Sequence, residues 1–166
     1  MACMELPSYK LELDAVDIRI LQQLQTDASI SNQDLAARVH VSPPTGLRRV
    51  KRLVELGVIE RQIALLNPDK LKAIVGHGLT AIVEVTLTQQ NAEVLAAFEA
   101  RITPEPAVQQ CYRVSPGPDF VLIVQVRAMA DYLALVQRVL TADAQVRNVK
   151  AFFSVLRSKF EPKIAL

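Results

Sequence analysis

Ser42-Pro43-Pro44-Thr45-Gly46-Leu47-Arg48-Arg49-Val50-Lys51-Arg52-Leu53-Val54-Glu55-Leu56-Gly57 is the stretch on which the fold turns. Ser42 suits a helix N-cap, the two prolines tolerate a first helical turn because no backbone N–H is needed there, and Gly57 suits the stop. On a wheel of about 100° per residue, Leu47, Val50 and Val54 gather on one side. Thr45, Arg48, Arg49 and Arg52 fall on the other. The spacing predicts a helix with a core face and a cationic, hydroxyl-bearing face.

Two further helices are predicted upstream. From Asp14, an N-cap, apolar residues Val16, Ile18, Ile20, Leu21 and Leu24 wind onto one side of a helix ending near Thr26. Ser31-Asn32-Gln33-Asp34 opens a short helix in the manner of a capping box, with Leu35, Ala36 and Val39 inward. Downstream of Gly57, Val58-Ile59 and Ile63-Ala64-Leu65-Leu66 are expected to pair as a small ribbon closed by Asn67-Pro68. Three helices, the last two joined by a short turn, followed by a ribbon, outline a winged helix-turn-helix.

Charge placement points the same way. Arg38, Arg48, Arg49, Lys51 and Arg52 fall between Arg38 and Val54 with no acidic residue among them, although the 166-residue chain carries a formal charge of only +2. Such a helix fits the major groove of double-stranded DNA, where arginine bridges guanine acceptors and a short polar residue such as Thr45 lies near base edges. Ser42, Lys51 and Arg38, off the central face, are expected at phosphates, where they add affinity and salt dependence rather than sequence reading. An isolated basic run also occurs on solvated helix faces. The caps, the turn and the stop around this one argue for DNA.

After a connector at 67–78 the pattern changes. Residues 79–87 alternate as a strand with Ala81, Val83, Val85 and Leu87 on one face, and Ala92 to Ile102 has a helical period with Val94, Leu95, Phe98 and Ile102 together. Val108 to Val114 and Phe120 to Val126 are strand-like around the turn Ser115-Pro116-Gly117-Pro118-Asp119; a helix from Ala130 to Leu140 and a strand from Val146 to Leu156 follow. This β-α-β-β-α-β order is the ferredoxin-like plan, with an antiparallel sheet. The chain is therefore expected to be α+β, with a DNA-binding domain at 1–66, a linker at 67–78 and a second domain at 79–166. One open face of that sheet must find cover, which predicts a dimer at least.

Leu13-Asp14-Ala15-Val16-Asp17-Ile18-Arg19-Ile20-Leu21, Ser31-Asn32-Gln33-Asp34-Leu35-Ala36, Val41-Ser42-Pro43, Arg48-Arg49-Val50-Lys51-Arg52-Leu53, Gly57-Val58-Ile59 and Ala64-Leu65-Leu66-Asn67-Pro68 together resemble the Lrp/AsnC, or feast/famine, family of transcriptional regulators. The resemblance spans nearly the whole chain; the second half matches mainly in element order and in the turn Val114 to Phe120. It implies a homodimer built through the ferredoxin-like domain, commonly assembled into octamers, and a small effector, often an amino acid. The effector site it implies falls on Ser115, Gly117, Asp119 and Phe120. An aspartate beside a glycine turn suits an α-ammonium group, and exposed backbone amides suit a carboxylate. The chain departs from the family where Pro116 replaces a usual glycine, where Val149 and Ala151 stand in place of threonines, and at Gln62, where an aromatic is common.

Other chemistry finds little support. His40 and His77 are the only histidines and have no partner at a catalytic spacing; Cys3 and Cys111 show no zinc-like spacing. No catalytic residue, metal or cofactor is expected. Gly76-His77-Gly78 reads as a hinge, and Cys111 as a small core residue. The start of the chain lacks a signal-peptide pattern and its apolar runs are too short to span a bilayer, so a cytoplasmic protein without a membrane partner is expected. Two other functions compete: an architectural protein compacting DNA with little sequence preference, and an amino-acid-binding metabolic domain with no DNA role.

Overall fold

The computed structural model describes residues 12–67, 70, 71, 74, 76 and 78–166. His77, and with it the hinge reading of Gly76-His77-Gly78, lies outside the described residues, as does Cys3. The chain divides into two compact units, one of Met1–Leu65 with Phe160–Leu166 and the other of Leu66–Lys159. By contact, Phe160–Leu166 groups with the first unit.

The first unit holds α1 (Ala15–Thr26), α2 (Asn32–Arg38) and α3 (Pro43–Glu55). Asp14 caps α1 by accepting from the Val16 and Asp17 amides, and Asp17 reaches back to the Asp14 amide, completing a capping box. Ser31 caps α2 through the Asp34 amide. Ile20, Leu21, Leu35, Val39 and Leu53 form the buried core. Between α2 and α3, His40 takes φ 59°, a left-handed conformation in which His is enriched among non-glycine residues. The chain turns there, and the Val41 amide bonds back to the Ala36 carbonyl.

The ribbon expected downstream of α3 does not form as a ladder. The Val58 and Ile59 amides both donate to the Leu53 carbonyl, at 3.0 and 3.1 Å, and so finish the helix instead of pairing with 63–66. An isolated two-stranded ribbon has little stability to set against that. Residues 60–67 run without strand assignment.

The second unit is β1 (Leu79–Leu87), α4 (Ala92–Ile102), β2 (Val108–Arg113), β3 (Phe120–Val126), α5 (Met129–Val136) continued by a π-helical turn (Gln137–Thr141), and β4 (Val146–Phe153). The sheet is antiparallel in the order β2-β3-β1-β4, the expected plan. The last strand ends three residues short of Leu156. Ala81, Val83, Val85, Leu87, Phe120, Leu122 and Val124 point to one face and meet Phe98, Ile102, Tyr132, Leu135 and Leu140 from the helices. The opposite face carries Ile82, Tyr112 and Phe152, all exposed.

Candidate nucleic-acid interface and effector loop

The roll of α3 differs from the simple wheel. Leu53 and Gly46 are the buried positions, while Leu47 is 59% and Val54 49% exposed. Two local features set that roll. Gly46 packs on α2, where a β-carbon built on it would lie 3.4 Å from the Ala36 β-carbon, and Asn32 Nδ2 ties the pair by donating to the Pro43 carbonyl at 2.9 Å. The second feature is ionic. Asp17, its side chain 1% exposed, receives Arg49 Nη1 at 2.8 Å on Oδ1 and Arg52 Nη1 at 3.2 Å on Oδ2. Arg49 Nη1 also lies 2.7 Å from Asp14 Oδ2.

Arg49 is therefore drawn inward, toward Asp14 and Asp17. A buried carboxylate needs a partner, and the guanidinium that answers it braces α3 to α1. The Asp17 and Asp14 carboxylates push the Arg49 guanidinium's pKa up. The Asp17 backbone amide, and then Arg49, hold the Asp14 carboxyl below the usual carboxylate range. Arg52 is half engaged: its other nitrogen donates to the Glu12 carbonyl at 3.2 Å, yet its side chain remains 48% exposed.

The outward face that results carries Leu47, Arg48 and Lys51, with Arg52 at its side. Arg48 is exposed and forms no ion pair among the described residues, and Lys51 meets only Glu55, at 3.7 Å across one helical turn. Lys51 thus lies on the central face rather than off it. Thr45 is half-buried and its hydroxyl shares a 2.9 Å hydrogen bond with that of Ser42. Ser42 starts the helix by backbone geometry alone, since its side chain makes no capping bond. Arg38, exposed at the end of α2, reaches Gln23 Oε1 at 3.4 Å. Leu47 was missed by the wheel because an apolar residue was assigned to the core; the small residue next to it, Gly46, was the available clue.

The turn between β2 and β3 is also rearranged relative to expectation. Ser115 and Gly117 are exposed, Gly117 with φ 125°. Asp119 is buried, and its Oδ2 accepts the Leu87 amide at 2.7 Å while its own amide donates to the Val85 carbonyl. Phe120 is wholly buried, stacked on Phe98 with centroids 4.5 Å apart. It belongs to the sheet's inner face, so within this chain it cannot touch a ligand in the turn. Val149 and Ala151 also pack against that inner core. Cys111 is half-buried with its thiol pKa pushed up, chiefly by burial, in keeping with a packing role.

A family model of the winged helix-turn-helix DNA-binding domain matches residues 13–60, and that of the Lrp/AsnC ligand binding domain matches residues 80–164. The chain belongs to the Lrp/AsnC family. The leucine-responsive regulatory protein of Rhizobium meliloti is 39% identical over 90% of this chain and 94% of its own. The Bkd operon transcriptional regulator of Pseudomonas aeruginosa is 35% identical over 87% and 92%. Among solved structures, an AsnC family transcriptional regulator from Agrobacterium tumefaciens superposes with a TM-score of 0.81 at 31% identity, covering 92% of this chain and 97% of that one. A transcriptional regulator from Neisseria meningitidis in complex with L-Met gives 0.80 at 27% identity, covering 93% and 97%. As a member of the Lrp/AsnC family, the protein is a DNA-binding transcriptional regulator with a ligand-binding domain. Among the described residues no helix is long and apolar enough to cross a membrane, and no group of three or more His, Cys, Asp or Glu side chains is placed to hold a metal ion.

Proposed function

We propose that this protein reads specific double-stranded DNA sites through the outward face of α3 and adjusts its binding to an amino acid or related metabolite, as a regulator and not an enzyme. The supporting observation is the exposed, uncompensated Arg48 beside Leu47 and Lys51 on a helix held in place by buried contacts on its other side. In this reading Arg48 meets a guanine edge, Leu47 a thymine methyl group, and Thr45 a base edge near the helix start. Lys51, Arg52, Ser42 and Arg38 meet phosphates. Arg49 holds the helix instead of touching DNA.

The effector reading rests on the exposed Ser115 and Gly117, with Asp119 fixing the turn from within by its bond to Leu87. The L-Met complex of the Neisseria relative supports an amino acid as the ligand class. The open sheet face with Ile82, Tyr112 and Phe152 supports a homodimer, which would assemble further into octamers in the cytoplasm. A thermal-shift screen of the proteinogenic amino acids tests the effector reading, since a ligand that binds only the folded protein raises its melting point. A ligand that raises it and changes operator affinity supports the proposal; no shift with any amino acid removes amino acids as the effector class.

A further inference from the structure

We propose that Phe160–Leu166 is a docking strand for an apolar groove of the DNA-binding unit, a segment that braces α1 and residues 58–65. The groove is walled by Leu21 and Leu24 of α1, by Val58 and Ile59 at the end of α3, and by Ile63 and Leu65, and about 410 Å³ stays open between these residues and the segment. The segment fits it by its alternation. Phe160, Pro162, Lys163, Ile164 and Leu166 line the groove, the apolar ones at every second position as in an extended chain, with Phe160, Ile164 and Leu166 still partly open to solvent. The residues between are Glu161, Lys163 and Ala165.

Polar contacts fix the register. Gln25 uses its side-chain amide as a neighbouring strand would use its backbone: Oε1 accepts the Ile164 amide at 2.6 Å and Nε2 donates to the Ile164 carbonyl at 3.1 Å. One helical turn earlier, Gln22 Nε2 donates to the Leu166 carbonyl at 3.1 Å. The same chain crosses between the units at Leu65–Leu66 and again at Lys159–Phe160. The segment is thus held on α1 within the first unit. The site is distinct from the outward face of α3.

Hydrogen exchange on the full-length protein tests this directly. The Ile164 amide is expected to exchange at least about tenfold more slowly than in an unstructured peptide. Gln25→Ala should remove most of that protection, a loss of about five- to tenfold for one hydrogen-bonded amide group, while β1–β4 amides stay unchanged. Deleting 160–166 should speed exchange in α1 and in 58–65, and a synthetic peptide of residues 157–166 added in trans should restore it. Ile164 exchanging at the free rate in the full chain, or protection indifferent to Gln25→Ala, would overturn the inference. Protection that disappears on dilution below the oligomer's dissociation range would also overturn it, by assigning the groove to the segment of a second copy.

Discussion

Asp17 carries its charge out of water inside a unit built to meet DNA phosphates, and two arginines of the recognition helix answer it. The basic run therefore divides its labour at single-residue resolution. Arg48→Ala should lower DNA affinity and relax the preference at one base pair, whereas Lys51→Ala should weaken binding to all sequences alike and reduce the slope of log K against log salt by about one, the mark of a lost phosphate contact. Arg49→Ala should also weaken binding, through a loosened helix, but leave that slope unchanged; anisotropy titrations across a salt series read both. A reduced slope for Arg49→Ala would return it to the interface. Asp14 adds a pH signature. Its folded-state pKa lies below the unfolded value of about 3.8 because of the Asp17 amide and Arg49, so its contribution to stability is present above that value and is lost as pH falls through the lowered one. Asp14→Ser keeps a capping oxygen without the charge, and should flatten the acid limb of the denaturation midpoint plotted against pH.

Helix ends were the part most readable from composition: Asp14, Ser31 and Gly57 each act through backbone geometry that depends only on near neighbours. Gly57 sits at φ 70° with open space around it, so Gly57→Ala should cost about 1 kcal/mol from left-handed strain alone. Gly46→Ala, with a contact of 3.4 Å to Ala36, should be neutral or gain up to about 1 kcal/mol from helix propensity. Chemical denaturation distinguishes the two. The roll of α3 was not readable, because Leu47 and Val54 look like core on a wheel, whereas a tertiary ion pair and a glycine contact decide which side faces in. A turn aspartate looks free in the sequence, and the Leu87 amide at the end of β1 that Asp119 accepts is visible only in the fold. Asp119→Ala should destabilise the protein by about 1–3 kcal/mol through that orphaned amide, seen as a lower denaturation midpoint even without effector. An unchanged midpoint would make Asp119 a ligand group and not a structural one.

At the scale of the molecule, the order of helices and strands was legible apart from the ribbon expected at 58–66, since each longer element's apolar period names its type. The division of the chain was less so. Phe160–Leu166 alternates like a strand, and nothing local distinguishes a continuation of β4 from a segment that returns to α1; only Gln22 and Gln25, far away in sequence, decide it. The central claim is that α3 reads sequence and does not merely hold phosphates. Its most direct test is the affinity, at physiological salt, for the DNA upstream of the protein's own gene against a random duplex of equal length, for the wild type and for Arg48→Ala. The account predicts a preference of at least about a thousandfold that shrinks sharply in the variant while size-exclusion chromatography shows the same assembly. Equal affinity of the wild type for both duplexes would contradict it.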